Sequence, residues 1–118
     1  MRVDVEIKQG PPKVAVITPH GYLEAVASRL LREKLKQIEE EGARRVVLDL
    51  ADVQFISSSA LSLLIGFVTR KKGEWGPEPL ILVGPGPTVL ESIRTLGLES
   101  LFVIEETLEA ALNRCGLI

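Results

Sequence analysis

Three consecutive serines, Ser57, Ser58 and Ser59, stand between a strand-like stretch, "DVQFI", and an almost wholly apolar segment, "ALSLLIGFV". A hydroxyl at a helix start accepts from the free backbone N–H groups of the first turn, a cap worth about 1 kcal/mol. Ser57 or Ser58 fills that role. The remaining hydroxyls lie beside a helix N-terminus, where backbone dipoles favour anions. Their possible chemistry is therefore nucleophilic attack or phosphate acceptance, to be weighed against plain caps and turns. A hydrolytic triad can be sketched from His20, the single histidine, with Asp49 and Ser59, because such triads are defined by geometry whatever their order in the chain. The Gly-x-Ser-x-Gly elbow is missing, however, and His20 between Pro19 and Gly21 reads as a turn residue. No catalytic residue is assigned, and the chain is expected not to be an enzyme. "GPGPT" (84–88) resembles a phosphate loop only loosely. It lacks the Gly-Lys-Ser/Thr ending, and Pro85 and Pro87 remove two N–H donors; Pro87 is expected to be the first residue of a helix. Asp49 and Asp52 are too few to hold a hard cation, and one cysteine with one histidine makes a poor transition-metal set. Cys115 is read as a small apolar residue, and Trp75 as a ring folded over the domain's own edge. No metal and no cofactor are expected.

The elements that must hold these groups can be read from periodicity. Val3, Val5 and Ile7 alternate with charged residues, "QGPP" turns the chain, and Val14 to Ile17 form a more apolar run. This pattern predicts an antiparallel hairpin with its second strand deeper in the sheet. From Glu24 to Glu41 the period becomes 3.6, with Val26, Ala27, Leu30, Leu31, Leu35 and Ile38 as the apolar stripe. Gly42 ends that helix. Glu39, Glu40 and Glu41 carry the wrong charge for its C-terminus and are expected to form a solvated face. "RRVVLDL" (44–50) is a strand apolar enough to be covered on both faces. Ala60 to Lys72 is predicted as the central helix, with Arg70, Lys71 and Lys72 in its last turn and Gly73 as its stop. Strands at 79–84 and 101–104 and helices at 87–97 and 107–114 complete the alternation. The expected class is α/β: a mixed sheet of four to five strands, mostly parallel with an antiparallel N-terminal edge strand, and about four helices. Loops at the carboxyl ends of parallel strands gather on one edge. His20, Gly21, residues 51–59 and Pro85 to Pro87 should meet there, near Glu24, Asp49 and Asp52.

The 118 residues make one domain's worth of chain, read as a single domain over 1–118. A hydrophobic content of 46% with 25% charged residues is ordinary for a globular protein and argues against disorder. A net charge of -2 with interspersed signs offers no field to hold a phosphate backbone, so nucleic acid is not an expected partner. The longest apolar run, Leu63 to Val68, is far short of the roughly 20 residues of a membrane span. "MRVDVEIK" alternates like a strand instead of resembling a signal peptide. A cytoplasmic location is expected.

"VVLDLADVQFISSSALSLL" resembles the signature of STAS domains, the fold shared by bacterial anti-sigma factor antagonists and the cytoplasmic tails of sulfate transporters. In that family a strand ending in Asp-Leu leads through a short loop and an aromatic residue to Asp-Ser-Ser or Asp-Ser-Ala, Gly, Leu and an apolar helix. "GYLEAVASRLLREKL" is similar to the family's Gly-x-Leu-Asp and first helix, and "LGLESLFVIEETLEAAL" to its C-terminal pattern. Three motifs in order cover nearly the whole chain. The resemblance implies partner switching by an anti-sigma factor antagonist. Such a protein binds an anti-sigma factor that is also a serine kinase, is phosphorylated by it at the start of the central helix, and is reset by a serine phosphatase. The implied phosphoacceptor is Ser59, with Ser58 as its neighbouring alternative. The implied partner-binding residues are Gly21, Glu24, Phe55, Ser57, Ser58, Ser59 and Ala60. Ser57 stands where the family has Asp, Ala60 where it has Gly, and Glu24 where it has Asp. The alternative the resemblance allows is a non-phosphorylated STAS interaction subunit or scaffold, in a sensory or transporter-associated complex.

Overall fold

The computed structural model describes residues 2–117. Strand β1 (Arg2–Lys8) pairs antiparallel with the more deeply buried β2 (Val14–Leu23). Helix α1 (Ala25–Glu40) returns the chain to β3 (Arg45–Asp49), parallel to β2. A short strand, β4 (Val53–Ile56), precedes the long helix α2 (Ser58–Trp75). The chain closes with β5 (Leu80–Val83), α3 (Pro87–Thr95), β6 (Val103–Glu105) and α4 (Leu108–Arg114). The sheet order is β1-β2-β3-β5-β6, with β4 paired to β2 off that path. Every pairing except β1 with β2 is parallel. This is the mixed α/β class expected from the alternation, with the strand-like residues 53–56 realised as an additional short strand.

Alternation along the strands divides the core in two. Ala15, Ile17, Val46, Leu48, Leu80 and Leu82 face α1, α2 and α3 in the larger cluster. Val14, Val16, Val47, Ile81 and Val83 face α4 through Ala111 and Cys115. Burial of Cys115 pushes its thiol pKa up, which keeps it an unreactive apolar filler. Among the described residues, no helix is long and apolar enough to cross a membrane.

Four local expectations change in the fold. Val26 leaves the predicted α1 stripe and is 75% exposed; Ala27, Ser28, Leu31, Leu35 and Ile38 form the buried face, and a residue one step from Ala27 is turned about 100° away from it. Helix α2 does not stop at Gly73 but runs on to Trp75, and the chain turns at Gly76, whose φ of 97° is left-handed. Trp75 explains the extra length. Its ring packs edge-on against Phe67, centroids 5.5 Å apart, and this contact needs helical spacing to bring residues 67 and 75 to one face. Lys71 is not a solvated last-turn cation either. It is 4% exposed, bonded to Glu39 and, at 2.9 Å, to Glu74, with its ammonium 5.1 Å from the Trp75 centroid. Burial pulls its pKa down, but the hydrogen bonds it donates to both carboxylates outweigh that and hold it above the ordinary lysine value. Glu39, expected on a solvated face, thus serves as the counter-ion of a buried lysine. Finally, β6 begins at Val103 instead of 101, because Leu101 still belongs to the turn that follows α3, donating its N–H to Leu98 O at 3.0 Å.

Candidate functional site

The serines are held at the sheet rim by main-chain bonds. β2 bulges between Gly21 and Tyr22, where Gly21 takes φ of +97°, a conformation that costs a side-chain-bearing residue about 1–2 kcal/mol. Its N–H donates to Asp52 O at 2.9 Å, and two residues on Leu23 O accepts from Ser57 N–H at 2.8 Å. The end of β2 thereby fixes both ends of β4. Ser57 is the cap of α2: its Oγ accepts from Ala60 N–H at 3.2 Å, and its carbonyl from Leu61 N–H at 3.0 Å. Ser58 and Ser59 are exposed, and among the described residues neither hydroxyl has an intramolecular hydrogen bond. Ala60 is fully buried and helical. Among the described residues no non-glycine residue has positive φ, so alanine in that place carries no strain.

Adjacent serines open onto different surfaces. Ser58 borders a groove of about 380 Å³ together with Phe55, Leu61, Thr88 and Leu96. Ser59 borders one of about 440 Å³ between α1 and α2. Glu24 is exposed at the N-cap of α1 and makes no side-chain cap. Phe55 is 37% exposed, and beside it lies Tyr22, 60% exposed, with ring centroids 6.4 Å apart. Tyr22 is absent from the residues singled out by sequence. Its signal was available in the alternation: with Leu23 buried, a strand continuing past Pro19 must point Tyr22 outward.

The sketched triad is not assembled. Asp49 Oδ1 accepts from Ala51 N–H at 3.1 Å and acts as a turn residue. His20 belongs to β2 and faces two other carboxylates: Nδ1 lies 2.5 Å from Asp52 and Nε2 2.9 Å from Asp4. Among the described residues, no serine is bonded to it. Two carboxylates call for two N–H donors, which is the imidazolium form. The guanidinium nitrogen of Arg2, 3.1 Å from Nε2, cannot donate to that form, and it contributes instead through Asp4, 3.4 Å from Arg2 Nε. The hydrogen bonds His20 donates to Asp52 and then to Asp4 raise its pKa above 6.5, and accepting from His20 lowers that of Asp4 below 3.8. A raised histidine pKa stabilises the fold fully below 6.5 and loses that contribution as pH rises through the folded value. The lowered Asp4 value stabilises above 3.8 and fails as pH drops through its own folded value. The clasp joining β1, β2 and the loop before β4 should therefore be tightest between about pH 4 and 6.5. Thermal melts of wild type and His20→Gln across pH 4.5–8.5 check this: the wild-type advantage is expected to shrink as the medium turns alkaline, and a constant gap would contradict the clasp.

The "GPGPT" segment is structural. Gly86 is the N-cap and Pro87 the first residue of α3. Gly84 has φ of +58° and would place a Cβ 3.5 Å from Glu106 O.

Comparison with solved structures places this arrangement among known folds. The chain superposes on SpoIIAA, an anti-sigma factor antagonist, in its unphosphorylated form with a TM-score of 0.78 at 22% identity, covering 98% of each chain. An anti-sigma factor antagonist from Mycobacterium paratuberculosis gives 0.75 at 22% identity over 98% of this chain and 95% of that one. The Bacillus cell fate determinant SpoIIAA in its phosphorylated form gives 0.68 at 22% identity, over 94% and 98%. The STAS domain family model matches residues 3–111, a stretch that takes in every strand, the capped serine turn and all but the end of α4. This chain belongs to the STAS domain family.

Proposed function

We propose that this protein is an anti-sigma factor antagonist that docks an anti-sigma factor with serine kinase activity on the rim formed by Gly21, Glu24, Phe55, Ser57, Ser58 and Ser59; Ala60, expected among these contacts, is fully buried beneath them and supports the rim without touching a partner. Phosphorylation of Ser59, with Ser58 as the lesser acceptor, switches that docking off, and a serine phosphatase restores it. The observation that carries this reading is the serine turn: Ser59 presents an exposed hydroxyl at a capped helix start, and its neighbour Ser58 shares a groove with Phe55, one of two exposed aromatic rings of the kind that anchor protein interfaces. In the switching step Ser59 Oγ attacks the γ-phosphorus of ATP held by the partner. The Oγ–P bond forms as the β–γ anhydride breaks, ADP departs, and the hydroxyl proton is released. The product carries about -1.5 to -2 charges where a partner must desolvate the surface. The chain itself contributes the acceptor and no catalytic group. Its place of action is the bacterial cytoplasm, where ATP and sigma factors are found.

A second reading, a STAS subunit that binds its partner constitutively, is favoured by Ser57, which supplies the cap but no carboxylate to engage a kinase. Incubation with the cognate kinase and ATP, followed by mass spectrometry of the 57–59 peptide, separates the two. Added phosphate on Ser59 is expected, and a peptide that binds partner yet stays unmodified would select the scaffold.

A further inference from the structure

Arg32 of α1 and Arg70 of α2 border the same groove as Ser59, Ser62 and Gly66. Neither guanidinium forms an ion pair among the described residues. The groove contains no carboxylate in its lining. In the adjoining groove, which both arginines also border, Glu39 and Lys36 are present, but Glu39 is bound to the buried Lys71. Two cations are thus left unneutralised next to a hydroxyl read as a phosphate acceptor.

The helical spacing aims them. Ser59, Ser62, Gly66 and Arg70 lie three or four residues apart on one stripe of α2. Gly66 has no side chain to fill that stripe; a Cβ there would sit 3.7 Å from Arg70 Nη1, so the guanidinium of Arg70 folds back along the helix toward Ser62. The groove lining thus offers two guanidiniums and no carboxylate. A dianion supplies the missing acceptors, and a guanidinium binds a phosphate through paired N–H donors.

We infer that the α1–α2 groove is the receiving site for the phosphoryl group of Ser59, with Arg32 as its direct partner and Arg70, three turns further along α2 with its guanidinium folded back over Gly66, as a more distant second charge. This inference rests on the reading of Ser59 as the phosphoacceptor and adds the regulation of that site. The arginines lower the cost of carrying the dianion in the free protein and hold the modified residue in one place across the docking rim.

Installing phosphoserine at position 59 by genetic encoding tests the site without kinase or partner. The second ionisation of the phosphate, followed by ³¹P NMR, is expected to fall below the value in Arg32→Gln by about half a unit or more. Arg70→Gln should show a smaller change in the same direction, and Arg32→Lys should keep most of the shift. Matching titrations in wild type and Arg32→Gln would overturn the inference, leaving the phosphate free in solvent. That outcome leaves partner switching itself intact; failure of the kinase to modify Ser59 is the separate result that removes the underlying reading.

Discussion

Ser59→Asp is expected to weaken binding of the anti-sigma factor kinase by about 1–3 kcal/mol, roughly 5- to 150-fold in Kd, while Ser59→Ala leaves it within about twofold. The asymmetry follows from where the hydroxyl sits. Ser59 is exposed and its hydroxyl has no hydrogen bond among the described residues, so removing its oxygen leaves no buried group unpaired. The cap belongs to Ser57, and α2 keeps its first turn in both variants. A carboxylate at position 59 has to lose water when a partner closes over Tyr22, Phe55 and the serines. Burial of a charge under a partner that offers it no counter-ion is costly even with Arg32 bordering the same groove. Isothermal titration of both variants against the same kinase decides the matter. Equal affinities would sink an electrostatic switch and favour the constitutive scaffold. Salt dependence adds a second readout: repulsion between exposed charges fades as ionic strength rises, whereas a desolvation cost persists.

The largest effect on stability is expected at Phe67, where truncation to alanine should cost about 3–5 kcal/mol. Phe67 is 2% exposed, meets Trp75 edge-on, and borders the seam between α1 and α2 beside Leu35 and Leu63. The cavity left behind has little means of collapsing, because α1 and α2 are each packed on the sheet through the same core. For a domain whose total stability is of order 5–15 kcal/mol, this is a large fraction, and it should lower Tm by roughly 10–20 °C. Phe55→Ala is the matched control. Phe55 is more than a third exposed, so stability should fall by only about 1–2 kcal/mol, while partner affinity falls. Urea melts and titrations of the two variants should give opposite rankings. A Phe67→Ala protein as stable as Phe55→Ala would mean that α2 does not pack through this face.

These two experiments probe features that were not equally visible in the chain. The serine turn was legible because capping is local: a hydroxyl followed by an apolar helical run declares a helix start within four residues, and Ser57 meets that need with its nearest N–H donors. The class of the sheet was legible for the same reason, since alternation at period two and at 3.6 reports which side of each element is covered. Three other features depend on contacts remote in sequence. Lys71 reads as an exposed last-turn cation until Glu39, 32 residues earlier, and the Trp75 ring are brought against it. His20 reads as a turn residue until β1 supplies Asp4 and the loop before β4 supplies Asp52. Ser58 and Ser59 are neighbours in the chain yet open onto separate grooves, because successive residues on a helix point about 100° apart and what each meets depends on α1 and α3.

By itself, the sequence determined the layered α/β architecture, the antiparallel first strand and a serine cap at the start of α2, at Ser57 or Ser58, all of which follow from short-range spacing and hydrophobic period; the family rests on the resemblance of its motifs. Only the tertiary structure decided which charges are paired and which stay free. It bound Lys71 to Glu39 and Glu74, locked His20 between two carboxylates, and left Arg32 and Arg70 unneutralised beside Ser59. Charge pairing is set by distances of a few ångströms between residues far apart along the chain, and hydrophobic periodicity carries no information about such distances.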